Sequence, residues 1–123
     1  MKLSAKSLFP AVLLAVFACS SGVDAALFEG TWLDTDNNEP NLFINKQEDG
    51  SFDVKIVIFR LTSLDDGVGT LSRKGLSFTA TDAAGNPISG IITVQKDTAT
   101  VTFTGSTWPL LENGSAFKYI RQN

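Results

Sequence analysis

The sequence predicts an all-β domain in which about eight antiparallel strands follow one another as an up-and-down meander and close into a small barrel. Three observations support this fold. Apolar and polar residues alternate with a period of two, no window shows helical periodicity, and short turn sequences separate the alternating runs. Closure would also remove the exposed edges of strands that are rich in Thr and Val. A flattened sandwich of two sheets is the alternative architecture.

Four strands are predicted in the first half of the domain, at residues 28–34, 41–46, 51–60 and 67–73. The polar run TDNNEP separates the first two strands, and Asp49-Gly50 supplies a hairpin turn before the third. The residues between the third and fourth strands are predicted to form a connection that carries Leu64 and a turn that carries Asp65 and Asp66. The fourth strand itself is rich in glycine.

Four further strands are predicted at residues 76–81, 88–95, 98–104 and 116–121. Gly85-Asn86 and Lys96-Asp97 mark the turns between the first three of them. The strand at residues 98–104 alternates apolar residues with threonines, which is the clearest half-buried pattern in the chain. A longer connection, residues 106–115 with the sequence STWPLLENGS, precedes the last strand.

Residues 1–25 are predicted to be a secretion signal, which leaves residues 26–123 as one barrel domain. Lys2 and Lys6 precede the apolar run LFPAVLLAVFA, which is too short to cross a membrane as a helix. Two processing sites fit the residues that follow. Cleavage after Ala25 would use small side chains before the cut, whereas VFAC resembles a bacterial lipobox and would place a lipid on Cys19. We expect an exported protein that is periplasmic, anchored to the outer membrane or extracellular.

The composition of the domain excludes several kinds of chemistry. The chain contains no histidine, and Cys19 is its only cysteine. Ser-His-Asp catalysis, Cys-His catalysis and metal sites built from His and Cys are therefore excluded from residues 26–123. Acidic pairs such as Asp65-Asp66 and Glu48-Asp49 fall in predicted turns, where solvated carboxylates are expected. We predict a protein that is not an enzyme and that holds no cofactor.

The charges of the domain argue against nucleic acid as a partner. Removal of residues 1–25 leaves eight basic and twelve acidic residues, and the basic ones form no stripe. Contact with a membrane is predicted only through a lipid on Cys19. Residues 34–39 place oxygen ligands at alternate positions, as a calcium loop does, but they lack the glycine and the distant glutamate of that motif. A polar turn explains them equally well, so no metal site is predicted.

The run Gly30-Thr31-Trp32 on the first strand resembles the Gly-x-Trp of the calycins, the superfamily of lipocalins and avidin-like proteins. In that superfamily the Trp closes one barrel end, and an Arg from near the C-terminus lies across it. The resemblance implies these structural roles for Trp32 and Arg121, and a guanidinium over an indole gains cation–π energy. The chain is similar to small bacterial lipocalin-like proteins of unassigned function. It is shorter than true lipocalins and has only two Trp residues, so no lipocalin ligand and no biotin site is implied.

The apolar residues of the 106–115 connection are the main candidates for contact with a ligand or partner. Trp108, Leu110 and Leu111 would either plug one barrel end or form an exposed apolar patch. Phe59 and Leu64, after the third strand, could join either role. We expect a non-enzymatic binding or interaction module of the cell envelope. The alternatives are a carrier of a small apolar ligand, with interior room left by small residues such as Gly90 and Ala99, and an inhibitor of a secreted hydrolase.

Overall fold

The computed structural model describes residues 24–122, and its eight strands form one closed antiparallel barrel. Each strand pairs with the next one in sequence, and β1 pairs with β8 to complete the ring. The predicted meander barrel is confirmed, and the two-sheet sandwich is excluded. The strands are β1 (Gly30–Asp34), β2 (Pro40–Lys46), β3 (Phe52–Ile58), β4 (Thr62–Ser72), β5 (Gly75–Thr81), β6 (Pro87–Gln95), β7 (Thr98–Gly105) and β8 (Ala116–Arg121).

A single turn of 3-10 helix, Ala25–Leu27, leads into β1. The Asp24 carboxylate accepts a hydrogen bond from the Ala26 amide at 2.9 Å, and the Ala25 carbonyl accepts one from the Phe28 amide at 3.0 Å. Cys19 and nearly all of the predicted secretion signal lie outside the described residues. Within residues 24–122, no helix has the length and apolar character needed to cross a membrane.

The period-two alternation sorts side chains between the barrel interior and solvent. Successive residues of a strand point to opposite faces of the sheet. β3 therefore buries four apolar side chains and exposes Asp53 and Lys55 between them. β7 behaves in the same way, with its threonines on the outer face. The buried residues of these two strands are Phe52, Val54, Ile56, Ile58, Ala99, Val101 and Phe103.

An aromatic row fills the interior beside β6. Gly90 pairs with Phe78 across the β5–β6 ladder, and a Cβ at position 90 would stand only 2.9 Å from the Phe78 ring. Phe78 packs edge-to-face against Phe103 with 5.7 Å between ring centres, and Phe103 meets Phe117 in the same manner at 6.1 Å. The missing side chain at Gly90 thus makes room for Phe78 and leaves no space for a ligand there.

β4 begins at Thr62, five residues before the predicted start, so the predicted connection was wrong. Leu64, Asp65 and Asp66 belong to the strand. The register pairs Val54 with Gly67 and Ile56 with Leu64, so that Asp65 and Asp66 together oppose the single residue 55. This is a β-bulge, which places two consecutive aspartates on the solvent side without ending the strand. Two adjacent polar residues gave the sequence pattern of a turn, and pairing with β3 overrode it.

The alternating direction of the strands gives the barrel two ends of different character. The closed end carries the 3-10 helix, the C-terminal residues and three short turns. The opposite end, which we call the mouth, is formed by the four loops at residues 35–39, 59–61, 82–86 and 106–115. The predicted contact residues Phe59, Trp108, Leu110 and Leu111 all lie in the mouth loops.

Candidate binding site at the barrel mouth

The residues that resemble the calycin signature meet at the closed end. Trp32 is fully buried, and its indole Nε1 donates a hydrogen bond to the Phe28 carbonyl at 3.1 Å. The Arg121 guanidinium lies 4.2 Å from the centre of the Trp32 ring. The same guanidinium donates hydrogen bonds to the carbonyls of Glu29, at 3.1 Å, and Leu27. Arg121 therefore ties the N-terminal segment over the barrel and closes this end.

Gly30 lets the chain enter β1 beneath the Arg121 side chain. Its φ is 125°, in the region that residues with a Cβ rarely adopt. A Cβ at this position would stand 3.6 Å from Nη1 of Arg121, which is ordinary contact. The position therefore requires glycine for its backbone conformation and not for space.

The mouth contains a cleft of about 320 Å³ between the end of β1, the β3–β4 turn and the start of β8. We call it the mouth cleft. It arises because the β1–β8 ladder ends at the pair of Asp34 and Tyr119, whereas β8 stays paired with β7 as far as Ala116. Residues 116–118 consequently lack a neighbour on the β1 side. The residues that line the mouth cleft include Asp34, Asp36, Phe59, Phe117, Lys118 and Tyr119.

The unpaired part of β8 turns main-chain groups toward the cleft. The Gln122 amide donates to the Thr31 carbonyl on β1, whereas the Arg121 amide donates to the Asp97 carbonyl on the β7 side. Main-chain groups of successive strand residues point to opposite neighbours. The amide and carbonyl of Lys118 therefore point to the β1 side, where the ladder has already ended.

Asp34 and Tyr119, which are both buried, are two of the residues that line the mouth cleft. Asp34 is 8% exposed, and its two oxygens accept hydrogen bonds from the Asn41 side-chain amide at 3.2 Å and the Asp36 main-chain amide at 2.7 Å. The Tyr119 hydroxyl donates to the Val57 carbonyl at 3.0 Å. Burial raises the pKa of Tyr119, and the charge of Asp34 raises it further, so the hydroxyl remains a donor at neutral pH.

The two groups that donate hydrogen bonds to the Asp34 carboxylate are both uncharged amides. No lysine or arginine nitrogen of residues 24–122 lies within 4.0 Å of it. Buried carboxylates are ordinarily paired with a cation, because removal from water is costly. Across the described part of the chain, no three His, Cys, Asp or Glu side chains come close enough together to hold a metal ion.

The 106–115 loop is tied at its base and anchored in the core. The Asn113 side-chain oxygen accepts a hydrogen bond from the Ser106 amide at 2.7 Å. At the tip, the Leu111 amide donates to the Trp108 carbonyl at 3.0 Å and closes a four-residue turn. Leu111 belongs to the core and Trp108 packs against it, while Leu110 at the tip is 66% exposed. The loop is thus a hydrogen-bonded turn that presents Leu110 to solvent.

The structure separates the five predicted contact residues into three environments. Leu64 and Leu111 are 1% exposed and lie in the core, and Trp108 is half-buried against that core. Phe59 and Leu110 are 44% and 66% exposed, on two different mouth loops. Leu111 and Trp108 thus occupy the positions that a plug requires, and Leu110 and Phe59 occupy those that a contact patch requires.

Most residues of the mouth cleft were not predicted from the sequence. The signal was present for Asp34, since the alternation that turns Trp32 inward also turns residue 34 inward two positions later. Asp34 directly precedes the polar run TDNNEP, so it looked like part of the turn. Phe117 and Tyr119 alternate in the same way on β8, but nothing local to the sequence shows that β1 ends before covering them.

No protein-family model matches this chain, no curated protein is detectably similar to it, and no solved structure matches it. The eight-stranded closed antiparallel barrel is consistent with a calycin-like fold. A fold of this kind does not by itself specify a function.

Proposed function

We propose that this chain is an exported, non-enzymatic interaction module of the cell envelope that contacts a protein partner through its mouth. The observation that carries the proposal is the 106–115 loop, whose turn buries Leu111 and exposes Leu110. A loop whose backbone is already fixed before binding loses little conformational entropy on association. Phe59 supplies a second exposed apolar side chain at the same end. Inhibition of a secreted hydrolase is one form that such contact would take.

We assign the chain to the calycin-type barrels as part of the same proposal. The support is the stacking of Arg121 on Trp32 at the closed end, in a barrel with the strand order of a meander. Export follows from the predicted signal at residues 1–25, with the end of that signal after Ala25 or before a lipid-bearing Cys19.

Contact through the surface is favoured over transport of an apolar ligand inside the barrel. The space at Gly90 is taken by Phe78, which packs on Phe103 and leaves the interior filled there. The mouth cleft, in turn, has carboxylates and a hydroxyl on its walls, which suit a polar ligand better than an apolar one.

A photo-crosslinking residue at position 110 tests the proposal in the host that produces the protein. We expect a discrete adduct of one partner from position 110 and none from the same residue at Lys74, an exposed position at the closed end. Untagged wild-type protein in excess should suppress the adduct. Untagged Leu110→Asp should not suppress it, whereas Lys74→Asp, which changes charge at the closed end, should compete as wild type does. Identical adducts from both positions, or none from either, would contradict the proposal.

A further inference from the structure

We propose that the mouth cleft binds an organic cation: a primary ammonium or guanidinium group on a short aliphatic stem, as in a lysine or arginine side chain. The inference deepens the proposed function, because a partner's basic side chain is one source of such a group. Leu110 is not one of the residues that line the cleft, so cation binding in the cleft and partner contact through Leu110 can be tested separately.

The cleft offers an entering donor several hydrogen-bond acceptors, alongside the Lys118 amide, which points to the same side. Asp34, which is buried, and Asp36, which is exposed, both line the cleft and carry carboxylates. The Lys118 carbonyl has no partner in the β1–β8 ladder. A charged donor that enters here would gain charge-assisted hydrogen bonds, and it would compensate the partial desolvation of Asp34.

Two aromatic rings give the cleft a surface suited to a cation. Phe59 is exposed at the rim and Phe117 is half-buried on the wall. Cations are attracted to the faces of aromatic rings. The chain itself provides an example, because the Arg60 guanidinium lies 5.1 Å from the centre of the Phe59 ring. A ligand guanidinium would use the same kind of contact on the cleft side or displace Arg60.

The charge of the mouth favours the approach of a cation. The mouth loops and the residue at the end of β1 carry more acidic than basic side chains, whereas the closed end carries both signs in similar numbers. An acidic rim raises the local concentration of cations and their rate of association. The mouth residues concerned are Asp34, Asp36, Glu39, Asp82 and Glu112, against Arg60 and Lys118.

The volume of the cleft limits the size of the bound group. A space of about 320 Å³ lies at the lower end of the range for small-molecule pockets. It accommodates one side-chain-sized group and excludes an extended ligand. Lys118 is the one basic residue among the cleft residues, and its charge opposes a bound cation.

Titration of isotope-labelled protein, processed by its own export signal, tests the proposal by nuclear magnetic resonance. The probes are butylguanidinium and butylammonium, with butanol and butyrate as a neutral and an anionic control. We expect saturable shifts of the amides at residues 34–36, 58–60 and 116–119 with the two cations only. Absence of saturation with both cations, or equal shifts with butanol, would overturn the proposal. Saturation by calcium chloride without response to either cation would overturn it as well and would identify a metal site.

The butylguanidinium affinities of single variants show which side chains of the cleft contribute to binding. Asp34→Asn keeps an acceptor for only one of its two donors, the Asn41 side chain or the Asp36 amide, and should weaken butylguanidinium binding about tenfold or more. Asp36→Asn, at an exposed position, should weaken it without threatening the fold. Lys118→Gln should strengthen binding, because it removes a like charge from the cleft. Lys74→Gln at the closed end should leave affinity unchanged. Wild-type affinity in both aspartate variants would refute the assignment of these carboxylates.

A short peptide distinguishes the source of the cation. If acetyl-Gly-Arg-Gly-amide binds more tightly than butylguanidinium, the group comes from a protein partner. If only the free cations bind, a small amine or guanidine is the ligand, and the cleft assignment stands in either case. If the cleft binds neither cation but position 110 still crosslinks to a partner, this inference is wrong and the proposed function stands. If the cleft binds the cations but position 110 gives no adduct, the cation site stands and the proposed contact through Leu110 is wrong.

Discussion

At the scale of single residues, Tyr119 links the chemistry of the mouth to the stability of the barrel. It is the only tyrosine of the chain, and 1% of it is exposed. It pairs with Asp34 across the β1–β8 ladder, so ionisation of the phenol would bring a second negative charge beside a buried carboxylate. Burial and, secondly, this charge favour the neutral phenol in the folded protein.

We expect the phenol of the folded protein to resist ionisation at pH values where free tyrosine, with its pKa of about 10, is largely ionised. Since the pKa of Tyr119 is raised in the folded state, its contribution to the free energy of unfolding is fully present below pH of about 10. That contribution is lost as the pH rises further. Phenolate absorbance against pH, with and without urea, measures the effect on one residue. Superimposable titrations of the folded and unfolded chains would contradict it.

Tyr119→Phe is the matched variant for this titration. It removes the ionisable group, so the part of the alkaline destabilisation that belongs to residue 119 should disappear. It also leaves the Val57 carbonyl without its donor, which should lower the free energy of unfolding by about 1 kcal/mol at neutral pH. Urea unfolding at neutral and alkaline pH separates the two effects.

At the scale of elements, the 106–115 loop combines an anchor with a presented side chain. Leu111→Ala removes a core residue and should lower the free energy of unfolding by about 2–4 kcal/mol. Leu110→Ala changes an exposed residue and should alter it by less than about 0.5 kcal/mol. Urea unfolding of the two variants measures the difference. Similar losses in both would mean that Leu110 belongs to the plug and is not free to contact a partner.

The two barrel ends differ in how far the sequence predicts them. Trp32 could be placed from a three-residue pattern, and the resemblance to the calycins pointed to Arg121 as its partner. The mouth cleft could not be predicted, since it depends on where the β1–β8 ladder stops. Likewise, the bulge at Asp65 and Asp66 is a property of the pairing with β3 and leaves no mark in local periodicity other than two adjacent polar residues.

At the scale of the whole molecule, closure and filling of the barrel leave one end for function. Arg121 fastens the N-terminal segment across the closed end, and the aromatic row from Phe78 to Phe117 fills the interior toward the mouth. A domain of about 100 residues without a disulfide in its described part depends on such complete burial for its stability. A large internal ligand cavity would remove part of the core that holds the fold together.

The filled interior predicts how the barrel responds to an apolar ligand. Wild-type protein should show no saturable shifts of interior methyl resonances on titration with benzene. Phe78→Ala removes the ring that lies against Gly90, so it should lower the free energy of unfolding by about 3–5 kcal/mol and create an apolar cavity. Such dry cavities bind benzene, and the variant should therefore gain binding that the wild type lacks. Binding of benzene inside the wild-type barrel would contradict a filled interior and favour a carrier of apolar ligands.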